Sequence, residues 1–148
     1  MRYISLGPGG IRGPQGLPLL KPPYGRIVAI DMNTGEHLWN IPNGDTPESV
    51  KDHPALEGIE IPVTGKNAHA GLLVTKTLLF SGEGRGGDPW FRAYDKKTGK
   101  VVAEIELPAQ TNHPPMTYMH NGKQYIVIPV AAPGHPAELV ALALPDKE

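Results

Sequence analysis

The chain has 148 residues, the length of one domain, with a formal net charge of -1 and no cysteine. Its Lys and Arg are scattered with no basic stripe, which excludes the electrostatic footprint of a nucleic-acid binder, and the missing thiols exclude disulfide frameworks and Cys-based zinc sites. No apolar run approaches the ~18 residues of a membrane span. Residues 1–16 carry no apolar signal-peptide core, so any export signal is expected upstream of Met1. Gly (18) and Pro (17) are abundant, yet 39% of the residues are hydrophobic and fall in ordered clusters, which points to turn-rich structure rather than disorder.

In chain order, residues 1–24 read as an extended Gly/Pro-rich lead-in, with a short strand expected at Arg2–Leu6. Gly25–Asp31 is an apolar, β-branched run that ends at Asn33-Thr34-Gly35 and restarts at Glu36–Trp39, a hairpin signature. Asp45-Thr46-Pro47-Glu48 reads as a helix start, with Pro54 limiting the helix to about residues 47–52 inside a long surface loop over 45–66. From residue 71 the pattern is strand after strand: Leu72–Thr75, Leu78–Ser81, Trp90–Asp95, Val101–Leu107, Pro115–His120, Gln124–Pro129 and Leu139–Leu144. Asn121-Gly122 marks a two-residue turn. Short strands at close spacing predict an all-β fold, a sandwich or a propeller, rather than βαβ units.

An internal repeat narrows the choice. Gly25–Trp39 and Pro89–Ala103 share Ala-x-Asp-x-x-Thr-Gly at a constant offset of 64 residues, through Ala29/Ala93, Asp31/Asp95, Thr34/Thr98 and Gly35/Gly99. The repeat's last position differs, Trp39 against Ala103. Such repeats mark propellers and solenoids, whose units cannot bury their own faces and must stack on neighbours, as propeller blades do. The Asp is expected to accept bonds from turn N–H groups, and the Trp to fill the gap between blades.

The extended pattern Ala-x-Asp-x-x-Thr-Gly-x-x-x-Trp resembles the tryptophan-docking repeat of the eight-bladed dehydrogenases that use pyrroloquinoline quinone (PQQ). The segment Gly16–Arg26 resembles the lead into a late blade of the membrane-type glucose and polyol dehydrogenases. Pro115–Tyr118, Gly122–Ile126 and Leu139–Pro145 resemble their last blade. The resemblance implies a partial β-propeller, about two of eight blades over residues 25–148 as one incomplete domain. It also implies a C-terminal fragment of a periplasmic sugar or alcohol dehydrogenase whose electrons pass to a quinone or cytochrome. PQQ and calcium would lie on the axis of the parent, held tightly by none of this chain alone. The remaining blades would be this chain's partners. The family's catalytic carboxylate and quinone-contacting lysine match no stretch here, so no catalytic residue is assigned. Activity of this chain by itself is not expected, and its exposed sheet faces predict self-association. The rival reading is a non-catalytic propeller scaffold, which shares the repeat but not the Pro115–Tyr118 and Gly122–Ile126 segments.

Candidate contacts to the quinone follow from the same resemblance. His135, in a Pro-Gly-His-Pro loop, matches a loop histidine near the quinone; a plain surface histidine is the alternative. Asn67 and His69 precede an inner strand, and Asn112 and His113 sit at a similar turn. Residues at the entrance of innermost strands can reach an axial ligand. Gly82–Gly87 fits G-x-G-x-x-G formally, but a strand follows where a dinucleotide site needs a helix, so it reads as a loop at the rim. The six histidines show no metal-ligand spacing and there is no calcium loop, so no metal is expected on this chain alone. Glu104 and Glu106 read as the exposed face of an outer strand rather than an acid–base pair.

Overall fold

The structure, a computed structural model, describes residues 12–145; the strand expected at Arg2–Leu6 lies outside them. Nine strands form three antiparallel sheets among the described residues. Sheet 1 pairs β1 (Arg26–Ile30) with β2 (His37–Pro42). Sheet 2 runs in the order β3 (Leu72–Val74), β4 (Leu78–Gly82), β5 (Trp90–Asp95), β6 (Val101–Glu106). Sheet 3 runs β7 (Met116–His120), β8 (Lys123–Ala132), β9 (His135–Ala143). One complete four-stranded blade is therefore flanked by two partial ones, the all-β partial propeller that the family resemblance implied.

The repeat is a repeat of backbone geometry. Ala29 pairs with Trp39 and Ala93 with Ala103, and each hairpin shifts register immediately after its alanine. In both turns the aspartate does the same work. Asn33 N donates to Asp31 Oδ1 at 2.8 Å, and Thr98 N donates to Asp95 Oδ1 at 2.9 Å. Gly35 N and Gly99 N then donate back to the Asp31 and Asp95 carbonyls. The two glycines sit at φ 76° and 71°, where a side chain would be strained.

The core lies in the seams between sheets. Ile27, Leu79 and Tyr94, with Trp39 and Ile41, close sheet 1 onto sheet 2. Phe91, Leu107, Ala109, Ile128 and Val130 close sheet 2 onto sheet 3. Burying each such side chain contributes roughly 1.5–3 kcal/mol, so the seams hold the blades together as much as any ladder does. Trp39 fills the first seam. Its ring lies against Gly99, where an added Cβ would come within 2.9 Å of Trp39 Cε3.

The structure departs from the sequence reading at the margins. The helix α1 spans Glu48–Lys51, with Pro47 as its N-cap rather than its first residue. Asp45 does not cap it; its carboxylate accepts from Thr46 N and Lys51 Nζ instead. Short 3-10 turns occur at Pro14–Gly16 and Pro54–Leu56. β8 runs past Pro129 and β9 begins before Pro136, because both prolines sit inside strands that the pattern ended at one and started after the other.

Candidate functional site

The register places several loop segments at one end of sheets 2 and 3. Leu72 opposite Ser81 puts the entrance of β3 beside the exit of β4, and the isolated bridge between Thr111 and Val130 puts the segment before β7 beside the last residues of β8. Residues 67–71, 83–87 and 110–114 therefore meet there. His69 N donates to Arg85 O at 3.3 Å, and the two residues form an isolated bridge. Gly86 N donates to the side-chain oxygen of Gln110 at 2.9 Å, and Gly84 N to Thr111 Oγ1 at 3.0 Å. Asn112 N donates to Pro129 O, and Thr111 bridges Val130, which ties the cluster to β8.

Glycine makes these approaches possible. A Cβ on Gly84, at φ 87°, would stand 2.3 Å from the carbonyl carbon of His69. One on Gly71 would stand 2.3 Å from the Cα of Pro114. Four of the five residues singled out from the sequence thus lie on touching segments: Asn67 and His69 on one, Asn112 and His113 on the other. Asn67, His69 and His113 are exposed there, and Asn112 is half-buried. His135 opens β9 opposite Ala132, and its Nε2 lies 2.9 Å from Glu138 Oε1, which fixes the ring against its own strand.

Sequence reasoning missed the charged frame behind the cluster. Glu83 is fully buried, yet its carboxylate accepts from Arg92 at 2.7 Å and from Asp88 N at 2.8 Å. Arg92 also donates to Glu104, and Lys66 pairs with Asp88 at 2.5 Å. Burial works against the Arg92 cation, but its bonds to Glu83 and Glu104 outweigh that and raise its pKa. The frame pins both ends of the 83–88 loop, from which Arg85 projects exposed beside His69. The signal in the sequence was the same Gly-rich stretch that fits a nucleotide motif. Its glycines serve close packing, since a Cβ on Gly87 would run into the Glu83 side chain and one on Gly82 into Thr111. Glu104 is half of an ion pair with Arg92 on an exposed outer strand, in line with the structural reading of that carboxylate.

The cluster can donate hydrogen bonds in quantity. Asn67, His69, Arg85, Asn112 and His113 offer amide, imidazole and guanidinium N–H groups, a donor set that suits the carboxylates and carbonyls of a quinone such as PQQ. Among the described residues no group of three or more His, Asp or Glu could hold a metal ion.

One four-stranded sheet stacked between two partial ones, with a tryptophan filling the first seam, defines this chain as part of a β-propeller. Residues 4–126 match the family described as the PQQ glucose/ethanol/alcohol dehydrogenase β-propeller domain, and the chain belongs to that family. The chain is 34% identical over 142 residues to quinoprotein glucose dehydrogenase A of Acinetobacter calcoaceticus, covering 91% of this chain and 17% of that protein. It is 36% identical over 139 residues to the glycerol dehydrogenase large subunit of Gluconobacter thailandicus, covering 88% of this chain and 18% of that one. A quinohemoprotein alcohol dehydrogenase of Pseudomonas putida HK5 shares the fold, with a TM-score of 0.50 and 20% identity over 72% of this chain and 12% of that one. The chain thus spans less than a fifth of the length of these curated relatives. No helix among the described residues is long and apolar enough to cross a membrane.

Proposed function

We propose that this chain forms the last blades of a periplasmic PQQ-dependent dehydrogenase that oxidises a sugar or an alcohol and passes the electrons to a quinone or cytochrome. The single observation that supports it most is the meeting of 67–71, 83–87 and 110–114 at one end of the sheets, with donor side chains on all three. Within that reading, residues 1–24 are a lead-in and residues 25–148 one incomplete domain, completed by the remaining blades. Asn67, His69, Asn112, His113 and His135 would contact the quinone, with Arg85 beside them. The quinone, when bound, supplies a two-electron oxidation that no protein side chain can perform. This chain's own part is to bind and orient it: amide and imidazole N–H groups donate to its acceptor atoms, and the Glu83 frame keeps the loop in place. Calcium would be held by carboxylates of other blades.

The test is reconstitution. The 148-residue chain is mixed with PQQ and calcium and assayed for dye reduction with glucose, glycerol and ethanol, then compared with a longer polypeptide carrying the remaining blades. Turnover is expected only from the longer protein. In it, His69→Ala and His113→Ala should each weaken PQQ retention at least tenfold, measured by equilibrium dialysis. Unchanged retention in both variants would remove these residues from the cofactor site, and turnover by the short chain alone would overturn the need for further blades.

A further inference from the structure

Along β5 the side chains alternate, so Trp90, Arg92 and Tyr94 share the face opposite Phe91, the face that looks onto sheet 1. Trp39 and Ile41 close that seam against Tyr94. Beside them it opens into a cavity of about 420 Å³, with the apolar groups of Ile41, Val63, Trp90 and Val101 and the polar groups of Asp88 and Arg92 on its wall. The charges of the wall are already matched. Arg92 is held by Glu83 and Glu104, Asp88 by Lys66, and Asp45, also on the wall, by Lys51. Three hydrogen-bonding groups are not. The Trp90 indole N–H has no partner among the described residues, unlike that of Trp39. Asp88 uses Oδ2 for Lys66, and its Oδ1 accepts no bond among the described residues. Asn43, between the wall residues Pro42 and Gly44, is 4% exposed, and its Oδ1 has no donor among the described residues.

We propose that this cavity binds a neutral polyhydroxylated molecule, a monosaccharide or a polyol, at a site separate from the cluster assigned to the quinone. Three properties select that class. A hydroxyl both donates and accepts, so a ring carrying several meets an indole N–H and a carboxylate oxygen at once, whereas an ammonium only donates and a carboxylate only accepts. With the charges of the wall paired, an ion would leave water for a place that offers it no unbalanced counter-charge, and a neutral ligand escapes that cost. The C–H face of a pyranose suits the indole and the aliphatic side of the wall, while its hydroxyl rim suits the polar side. The volume falls within the range of small-molecule sites, roughly 300–1,000 Å³. None of the five residues singled out for the quinone lines the cavity. Every lining group belongs to this chain, so the site depends on neither the quinone nor further blades.

The test titrates methyl α-D-glucopyranoside into the 148-residue chain and follows both indole N–H resonances by NMR. Trp90 is expected to shift saturably at millimolar probe, while Trp39, bonded to Lys96, stays in place and serves as the internal control. Choline and acetate at the same concentrations are expected to leave Trp90 unmoved. Val63→Phe and Val101→Phe put a ring into the space from positions 58% and 52% exposed, where neither disturbs the core, and each is expected to weaken the probe at least fivefold. No shift at Trp90, or equal and unsaturating shifts of both indoles, overturns the proposal. So does undiminished binding in both phenylalanine variants. A Trp90 response to choline at lower concentration than to the glucoside also overturns it and assigns the cavity to an organic cation. The probe's capped anomeric oxygen bars oxidation there, so binding and turnover are read apart. A longer polypeptide that fails to retain PQQ while Trp90 still responds would sink the dehydrogenase reading and leave this site standing.

Discussion

The indole N–H of Trp39 donates to the backbone carbonyl of Lys96 at 3.1 Å, across 57 residues of sequence and from one sheet to the next. The bond lands on the Asp95–Gly99 turn, the second copy of the turn that leads to Trp39 itself. The first repeat thus supplies a plug, and the turn of the second repeat is the socket that receives it.

Removing the plug should uncouple the sheets. Trp39→Ala is expected to destabilise the chain by about 3 kcal/mol through the lost ring and the hole it leaves. Trp39→Phe, which keeps an apolar ring and drops the N–H, should cost about 1 kcal/mol more than its loss of area. Urea unfolding of the two variants separates these contributions. Equal stability of the alanine variant and the parent would refute the docking role.

The socket can be probed with a matched pair of glycines. Gly35 and Gly99 have nearly the same φ, but nothing lies within 4 Å of a Cβ built on Gly35, whereas one on Gly99 meets the Trp39 ring. Gly35→Ala should therefore cost only the left-handed strain, about 1 kcal/mol. Gly99→Ala adds displacement of the indole and should cost roughly 1–3 kcal/mol beyond it. A thermal melt of each checks the order, and Gly99→Ala should also shift the Trp39 emission toward that of a solvated indole.

Glu83 and Arg92 form the most buried ion pair among the described residues, with side-chain exposures of 1% and 15%. Glu83→Leu leaves the Arg92 cation with only the half-exposed Glu104, and is expected to cost about 3 kcal/mol. Glu83→Gln keeps an acceptor for Asp88 N and should cost less. Exchange of the Asp88 amide reports on the loop directly: it should accelerate in the leucine variant and stay slow in the glutamine variant.

Asp95 carries a pH signature. The Thr98 hydroxyl and then the Thr98 backbone N–H bond to its carboxylate and hold its pKa below the ordinary 3.8. A depressed folded value means that the stabilisation is present above the unfolded pKa and disappears as pH falls through the folded one. The Thr98 amide should stay protected at pH 4 and lose protection only on further acidification. A carboxyl-carbon titration of Asp95 with its midpoint at or above 3.8 would contradict this.

Much of this architecture was legible in the chain because it is local. The hairpins, the Asn121-Gly122 turn and the paired aspartate turns are written in consecutive residues, and the 64-residue offset exposed the blade unit. Ala103 in place of a tryptophan could be read as a departure, but not the cavity that opens beside it between sheets 2 and 3, because that depends on which sheet stacks above it. The Glu83–Arg92–Glu104 frame was invisible for a similar reason. Its members lie on three different segments, and a glutamate in a glycine-rich loop carries no mark of burial until the neighbours close over it. Arg85 and Gln110 join the candidate site only through the approach of two loops far apart in sequence.

Within each sheet, every strand pairs only with the strand just before or just after it in sequence. Among the described residues no hydrogen-bonded ladder therefore waits for a distant part of the sequence. Each sheet can assemble as its residues leave the ribosome, with the seams setting the slower docking that follows. A lesion in a turn such as Asp95–Gly99 should stall one unit and its two flanks while sheets further off still form, so damage to such a protein would spread by adjacency along the ring and not across it.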